Sequence, residues 1–289
     1  MKTIRLIRSV AEPGNRGPSR GMFALQSALR DAAWPWLQIG GQLRPGEIPW
    51  VWNFQDKSMI VTINEWGWPF IIGPNVLFAN SYHPGEARLE QEVLDAEHCV
   101  LQFTESDWYA ALIRQHCDRN DAPVAIWSYP IDPQPEGPLR NEFDVMVYLK
   151  DMTKGREMVR IRERWPNSNL VVYGHYKRDT MIDIARRSRA CVYASTDDRG
   201  PLAAAEIALA GCPLVGVERG CPWTNNNMLG VQIPHFGKEE LIPAVERALE
   251  MDREMVRCAA TAFFATSRTV QTIHDALEPI AMERTTCAG

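Results

Sequence analysis

From residue 143 to residue 251 the chain alternates short apolar runs with stretches of helical period, and that alternation leaves few folds open. Asp144–Leu149, Asn169–Gly174, Cys191–Ser195 and Pro213–Val217 read as buried strands. Between them, Lys154–Trp165 places Met158, Ile161 and Trp165 on one helical face. A second helix, capped by Asp179, groups Met181, Ile184, Ala185 and Ser188. Pro201–Ala210 is a third, and Lys238–Met251 a fourth with Leu241, Val245 and Ala248. Strands alternating with helices pair in parallel through right-handed crossovers, so the spacing predicts a Rossmann-like α/β domain.

The first half follows the same alternation less clearly. Thr3–Ile7 reads as a strand, and the glycine-rich loop Gly14–Gly21 leads to a helix over Met22–Asp31 with Leu25, Ala28 and Leu29 on one face. Residues 34–82 hold six tryptophans and strand-like pieces around Val51, Ile60 and Phe70–Ile72. Cys99–Phe103 and Pro123–Ser128 read as strands, and Thr104-Glu-Ser-Asp107 as a capping box opening a helix to about Gln115. Four prolines between Tyr129 and Pro138 break regular structure and mark a linker. The expected domains are therefore 1–135 and 136–267. A final helical stripe, Val270, Ile273, Leu277 and Ile280, is assigned with residues 268–289 to the first of them.

Composition narrows the function classes. The 289 residues carry a net charge of −5, which argues against a globally basic nucleic-acid binder. Seven cysteines, an odd number without a CxxC pair, argue against a zinc ribbon or disulfide framework and suit a reducing compartment. No apolar segment reaches the ~20 residues a bilayer span needs, and no signal-peptide core is present, so a cytoplasmic protein is expected.

The densest motif is Thr196-Asp-Asp-Arg-Gly-Pro-Leu-Ala-Ala-Ala-Glu-Ile-Ala-Leu-Ala-Gly-Cys-Pro213, which leaves a strand and opens a helix. Gly200 permits a tight turn, Pro201 suits the first helical position, and the amides from about Leu202 onward form an anion site of the kind that takes a phosphate. Seven residues separate Asp198 from Glu206, and a carboxylate among alanines is costly to bury unpaired.

This acidic-x7-Glu pattern, followed by Ala-Leu-Ala-Gly-Cys-Pro-Leu-Val, resembles the retaining family 4 group of GT-B glycosyltransferases. Val147-Tyr-Leu-Lys150-Asp-Met-Thr-Lys154-Gly, the strand Asn169–Gly174 and Asn225–Ile233 resemble neighbouring family segments, so the likeness runs from about 143 to 251. Asp198 stands where the family has its first Glu, and Lys150 where it has Arg. The resemblance implies two Rossmann-like domains with parallel sheets facing a cleft, the last helix crossing back to the first domain. It implies a sugar nucleotide, UDP-sugar foremost, as co-substrate, with no further cofactor and no metal; no Asp-x-Asp clamp is present. It assigns Asp198 to the donor sugar's hydroxyls, Glu206 to the ribose, and Lys150 and Lys154 to the diphosphate, with the amides near Gly200 and Leu202 beside them. Arg16 and Gly17 in the first-domain loop, and His83 in Asn80-Ser-Tyr-His-Pro-Gly85, would face the donor, His83 as a hydrogen-bond donor or proton acceptor. Taken singly, the lysines, arginines and His83 also read as solvated surface residues. His175, at the end of a strand, is a weaker candidate.

The acceptor stays open. It is a saccharide or another small molecule, or a hydroxymethylated base in viral DNA. Arg156, Arg160, Arg162 and Arg164, the basic run from Lys177 to Arg189, the loop arginines Arg16 and Arg20, and the stacking surfaces of Trp66 and Trp68 would serve the DNA acceptor. A GT-B-fold nucleotide-sugar epimerase or a non-catalytic nucleotide-sugar binder is the reading from another class.

Overall fold

The computed structural model describes residues 1–7, 17–74, 90–118, 121–128, 130–131, 137–198 and 200–283; the side chains of 17–19 and 53–56 are outside the description. The chain divides into two compact units, Met1–Pro130 with Thr266–Gly289, and Ile131–Ala265.

Unit 1 is built on β1 (Ile4–Leu6), β2 (Leu37–Ile39), β3 (Ile48–Val51), β4 (Phe70–Ile72), β5 (Cys99–Thr104) and β6 (Val124–Ile126). All pair in parallel in the order β2-β1-β3-β4-β5-β6. The final helix, Thr266–Met282, returns to this unit as the resemblance implied. It buries Ile273, Leu277 and Ala281, and the Thr269 hydroxyl donates to the Ser128 carbonyl at 2.8 Å. Its buried stripe is Thr269, Ile273, Leu277 and Ala281, one position removed at each end from the expected Val270 and Ile280.

Three expectations for this unit are corrected. The first helix begins at Gly17, so Gly17 to Gly21 belong to its first turns and not to the loop. Pro18 explains the early start, because its fixed φ is already helical and its missing N–H is no loss there. Ile60 lies in the helix Asn53–Glu65 and not in a strand; Ile60 and Ile63, both buried, are a turn apart. The Thr104 capping box does not form: Thr104 ends β5, and Ser106 is the N-cap of the helix Asp107–His116.

Unit 2 is the predicted Rossmann-like layer. β7 (Phe143–Leu149), β8 (Ser168–Val172), β9 (Ser188–Ala194), β10 (Leu214–Val217) and β11 (Gly230–Ile233) pair in parallel in the order β11-β10-β9-β7-β8. Strand residues alternate between two cores. Met146, Tyr148, Cys191, Tyr193 and Leu214 pack with the helices Arg178–Arg187, Leu202–Leu209 and Arg253–Phe263. Val145, Val147, Ala190, Val192 and Val215 pack with Gly155–Arg164 and Lys238–Leu249 on the other face. Burying each such aliphatic side chain is worth roughly 1.5–3 kcal/mol, which is why the period-2 pattern sets the register.

Read from its first strand, this sheet has the order 2-1-3-4-5. Successive connections leave β7 in opposite directions, first to β8 and then across to β9. In open α/β sheets the crevice at the carboxyl ends of such a pair is where ligands bind.

Candidate functional site

Lys150 follows β7 directly and is tied to the neighbouring strand: the Lys150 and Asp151 amides both donate to the Ala194 carbonyl, at 3.0 and 2.9 Å. Asp151 then caps the single 3₁₀ turn Met152–Lys154, accepting from the Thr153 amide at 2.9 Å and its hydroxyl at 2.7 Å. Its second oxygen accepts from the Thr196 hydroxyl at 2.6 Å, linking the loops after β7 and β9. Burial pushes the Asp151 carboxyl up, but the Thr153 and Thr196 hydrogen bonds and the nearby Lys154 charge outweigh it and hold the group below its usual value. Lys154, half-buried, ends this turn at the start of the helix Gly155–Arg164.

Asp198 lies beyond β9, the other strand at the reversal. Its amide donates to the Arg219 carbonyl at 2.7 Å. That close approach depends on Gly220, where a Cβ would fall 1.7 Å from the Ser195 carbonyl oxygen. The Asp198 carboxylate is 12% exposed, and its Oδ2 takes both the Lys150 ammonium and the Tyr193 hydroxyl, the latter at 3.1 Å. The Lys150 ammonium also sits 5.4 Å from the centre of the Tyr173 ring. Two residues expected to act separately, one on phosphate and one on sugar, are thus an ion pair in this structure.

Pro201 is the N-cap of the helix Leu202–Leu209 rather than its first residue, with φ −69° and ψ 98°, and no side chain caps that end. Gly200 and Leu202 flank it. The helix is buried from Ala204 to Leu209, Glu206 included. A lone carboxylate in such a helix needs a partner, and Arg178 supplies it: Nε donates to Glu206 Oε1 at 2.7 Å. Arg178 opens the helix after β8; the N-cap there is Lys177, and the expected cap Asp179 lies in the first turn. His175 is exposed in the turn between, where Gly174 takes φ +80°.

Arg178, Tyr193 and Tyr173 are the residues that motif spacing missed at this edge. One signal for Tyr193 was present. Tyr148 and Tyr193 each stand one residue before the end of a buried strand, and parallel strands ending together place them side by side.

The remaining candidates lie elsewhere. His83 and Arg16 fall outside the described residues. Gly17 heads the first helix of unit 1. Trp66 and Trp68 are exposed, with ring centres 5.3 Å apart, but they precede β4 at the amino edge of the unit 1 sheet, away from the carboxyl edge of that sheet. Part of the basic set is engaged with carboxylates of this chain. Arg164 holds Glu246, Arg178 holds Glu206, Arg187 holds Glu142 and Asp183, and Arg189 holds Asp144. Among the described residues no three His, Cys, Asp or Glu side chains form a metal-ligating group, and no helix is long and apolar enough to cross a membrane.

No protein-family model matches this sequence, and no curated protein matches it. Solved structures do. AviGT4, a glycosyltransferase involved in avilamycin A biosynthesis, is 15% identical with a TM-score of 0.55, over 97% of this chain and 98% of its own. Sucrose-phosphate synthase from Thermosynechococcus elongatus is 12% identical with a TM-score of 0.61, over 97% of this chain and 99% of its own. Anabaena HepE, solved with UDP and glucose, is 10% identical with a TM-score of 0.61, over 96% of this chain and 100% of its own. At these identities the likeness is one of fold: two parallel α/β sheets, the architecture of GT-B glycosyltransferases.

Proposed function

We propose that this protein moves a glycosyl group from a nucleoside-diphosphate sugar to an acceptor hydroxyl, with retention at the anomeric carbon. The observation that carries the proposal is the meeting of Lys150 and Asp198 at the carboxyl ends of β7 and β9, the two strands where the sheet order reverses. A buried Glu206 lies one helix beyond. HepE has also been solved with UDP-glucose, so UDP-hexoses are the first donors to try. Retention rests on the resemblance of residues 143–251 to the retaining group.

In the proposed reaction the acceptor oxygen bonds the anomeric carbon as the bond to the phosphate oxygen breaks, and the acceptor proton is lost. Negative charge grows on the departing diphosphate. Lys154, the amides from Leu202 onward and Lys150 stabilise it, acting mainly on the transition state. An ammonium has three donors, so Lys150 can keep one on Asp198 and turn another to phosphate. Asp198 orients the sugar through its hydroxyls, and Glu206 takes the ribose. His83, Arg16 and Gly17 belong to the proposal as first-domain contacts to the donor. No metal is invoked. Four of the arginines that a DNA phosphate would need, Arg164, Arg178, Arg187 and Arg189, hold carboxylates of this chain, which favours a saccharide or other small molecule as the acceptor.

The test is a panel of nucleotide sugars with and without sugar acceptors, run with and without EDTA, alongside duplex DNA containing hydroxymethylated bases. Transfer that survives EDTA and falls about 10–150-fold in Asp198→Ala and in Glu206→Ala is expected, the loss of one hydrogen bond to a charged group. Conversion of the donor without any acceptor would mean an epimerase. Near-normal transfer by both variants would mean that Asp198 and Glu206 do not hold the donor, and glucosylated DNA would make a DNA base the acceptor.

A further inference from the structure

Tyr193 lies on β9 with both rows of its surroundings defined. It is 1% exposed, and parallel register places it opposite Tyr148 on β7, itself 1% exposed. The two rings stack face to face, centres 4.8 Å apart and planes 5° apart. Tyr148 is fixed in turn by its hydroxyl, 2.8 Å from that of Tyr176, whose ring meets it edge-on. For filling the core a phenylalanine would do as well at position 193. The hydroxyl has a specific target instead: it donates to Asp198 Oδ2 at 3.1 Å, five residues on.

The structure assigns Tyr193 as the positioning residue for the Asp198 carboxylate. The inference rests on the proposed role of Asp198 at the donor sugar. Two donors meet the same carboxylate oxygen, and they differ in kind. Lys150 is 29% exposed, flexible and itself required at the diphosphate. Tyr193 has two side-chain torsions, both held by a stacked ring in a buried sheet. When the Lys150 ammonium turns toward phosphate, the Tyr193 hydrogen bond remains and keeps the carboxylate aimed. Burial pushes the pKa of both phenols up, so the Tyr193 hydroxyl stays a donor throughout the working pH range. Other groups that face Asp198 electrostatically, among the described residues, include Lys150 and Tyr148 from β7 and its end, and Cys221 from the loop after β10.

The experiment compares full-length wild type, Tyr193→Phe and Asp198→Asn in steady-state transfer across pH, with thermal melting as a fold control. Tyr193→Phe is expected to lower kcat roughly tenfold, the low end for a hydrogen bond to a charged group, with KM for the donor changed by less than about twofold. A carboxylate that loses a donor binds its proton more tightly, so the acid limb of the kcat profile moves to higher pH. Replacing Tyr193 with a ring-fluorinated tyrosine keeps the packing and strengthens the donor. The acid limb should then move to lower pH, a reversal that a merely structural role does not produce, and this variant decides the matter if Tyr193→Phe melts early. An acid limb unmoved by both replacements overturns the inference. Full activity in Asp198→Asn overturns the underlying reading of Asp198 instead, whatever Tyr193 does.

Discussion

Within the helix Leu202–Leu209 every neighbour of Glu206 from Ala204 onward is apolar and buried, and the carboxylate reaches Arg178 across 28 residues of sequence. Removing one partner of a fully buried pair costs about 3–5 kcal/mol, because the remaining charge is stranded. Arg178 is 36% exposed, so solvent returns part of that. Arg178→Leu is therefore expected to lower stability by about 2 kcal/mol, read as a fall in the urea midpoint with unchanged slope. Glu206→Gln in the same background should recover part of the loss, since the buried charge is gone. The spacing from Asp198 to Glu206 and the lysines after the strand-like run at 144–149 could be read from the sequence because they are local. That Glu206 is held by Arg178, and Asp198 by Lys150 and Tyr193, could not, because each pairing depends on which strand lies beside which.

At the scale of elements, the strands and helices of residues 143–251 were legible because each apolar run was flanked by a clear helical period. Of the short pieces in residues 34–74, those around Val51 and Phe70–Ile72 are strands as expected, whereas Ile60 lies in a helix, since an apolar run of four residues has no distinguishable period. In unit 1 a buried charge pair ties a loop to the first strand. Arg5, in the middle of β1, grips Glu47 through Nε at 2.5 Å and Nη2 at 2.6 Å, while Nη1 donates to the Gly40 carbonyl at 2.7 Å. The two side chains are 9% and 10% exposed, so the pair fixes residues 40–47 beside β1. The Arg5 hydrogen bonds hold the Glu47 carboxyl below its usual value, against an opposing push from burial. A carboxyl whose folded value is depressed stabilises the protein above its unfolded pKa, and the contribution is lost as pH falls through the folded one. Glu47→Ala should cost roughly 3 kcal/mol at neutral pH. Its stability deficit relative to wild type should shrink on acidification, which denaturant titrations at several pH values would show.

At the scale of the whole molecule, unit 1 is discontinuous: it needs the last helix as well as the first 130 residues. The Lys2 amide donates to the Ala281 carbonyl at 2.7 Å, and Ile273 and Leu277 are fully buried. Truncation after Ala265 removes both of those side chains, a loss of at least about 3 kcal/mol in buried apolar surface alone. The truncated protein should show an early melting transition belonging to unit 1 and a separate one for unit 2, resolvable by calorimetry or by hydrogen exchange on β1.

That discontinuity sets a timetable on the ribosome. Chains emerge amino end first, and domains ordinarily fold in that order at about 5–20 residues per second. Here the amino-terminal sheet leaves the tunnel early but lacks the helix that covers part of it. It must wait while all of Ile131–Ala265 is translated, on the order of 10 s or more. The segment made second is the first that can finish folding. Through that interval the nascent amino-terminal half presents uncovered apolar surface, so a chaperone that attends translation would meet its client there, and a pause in elongation before Thr266 would prolong the exposure.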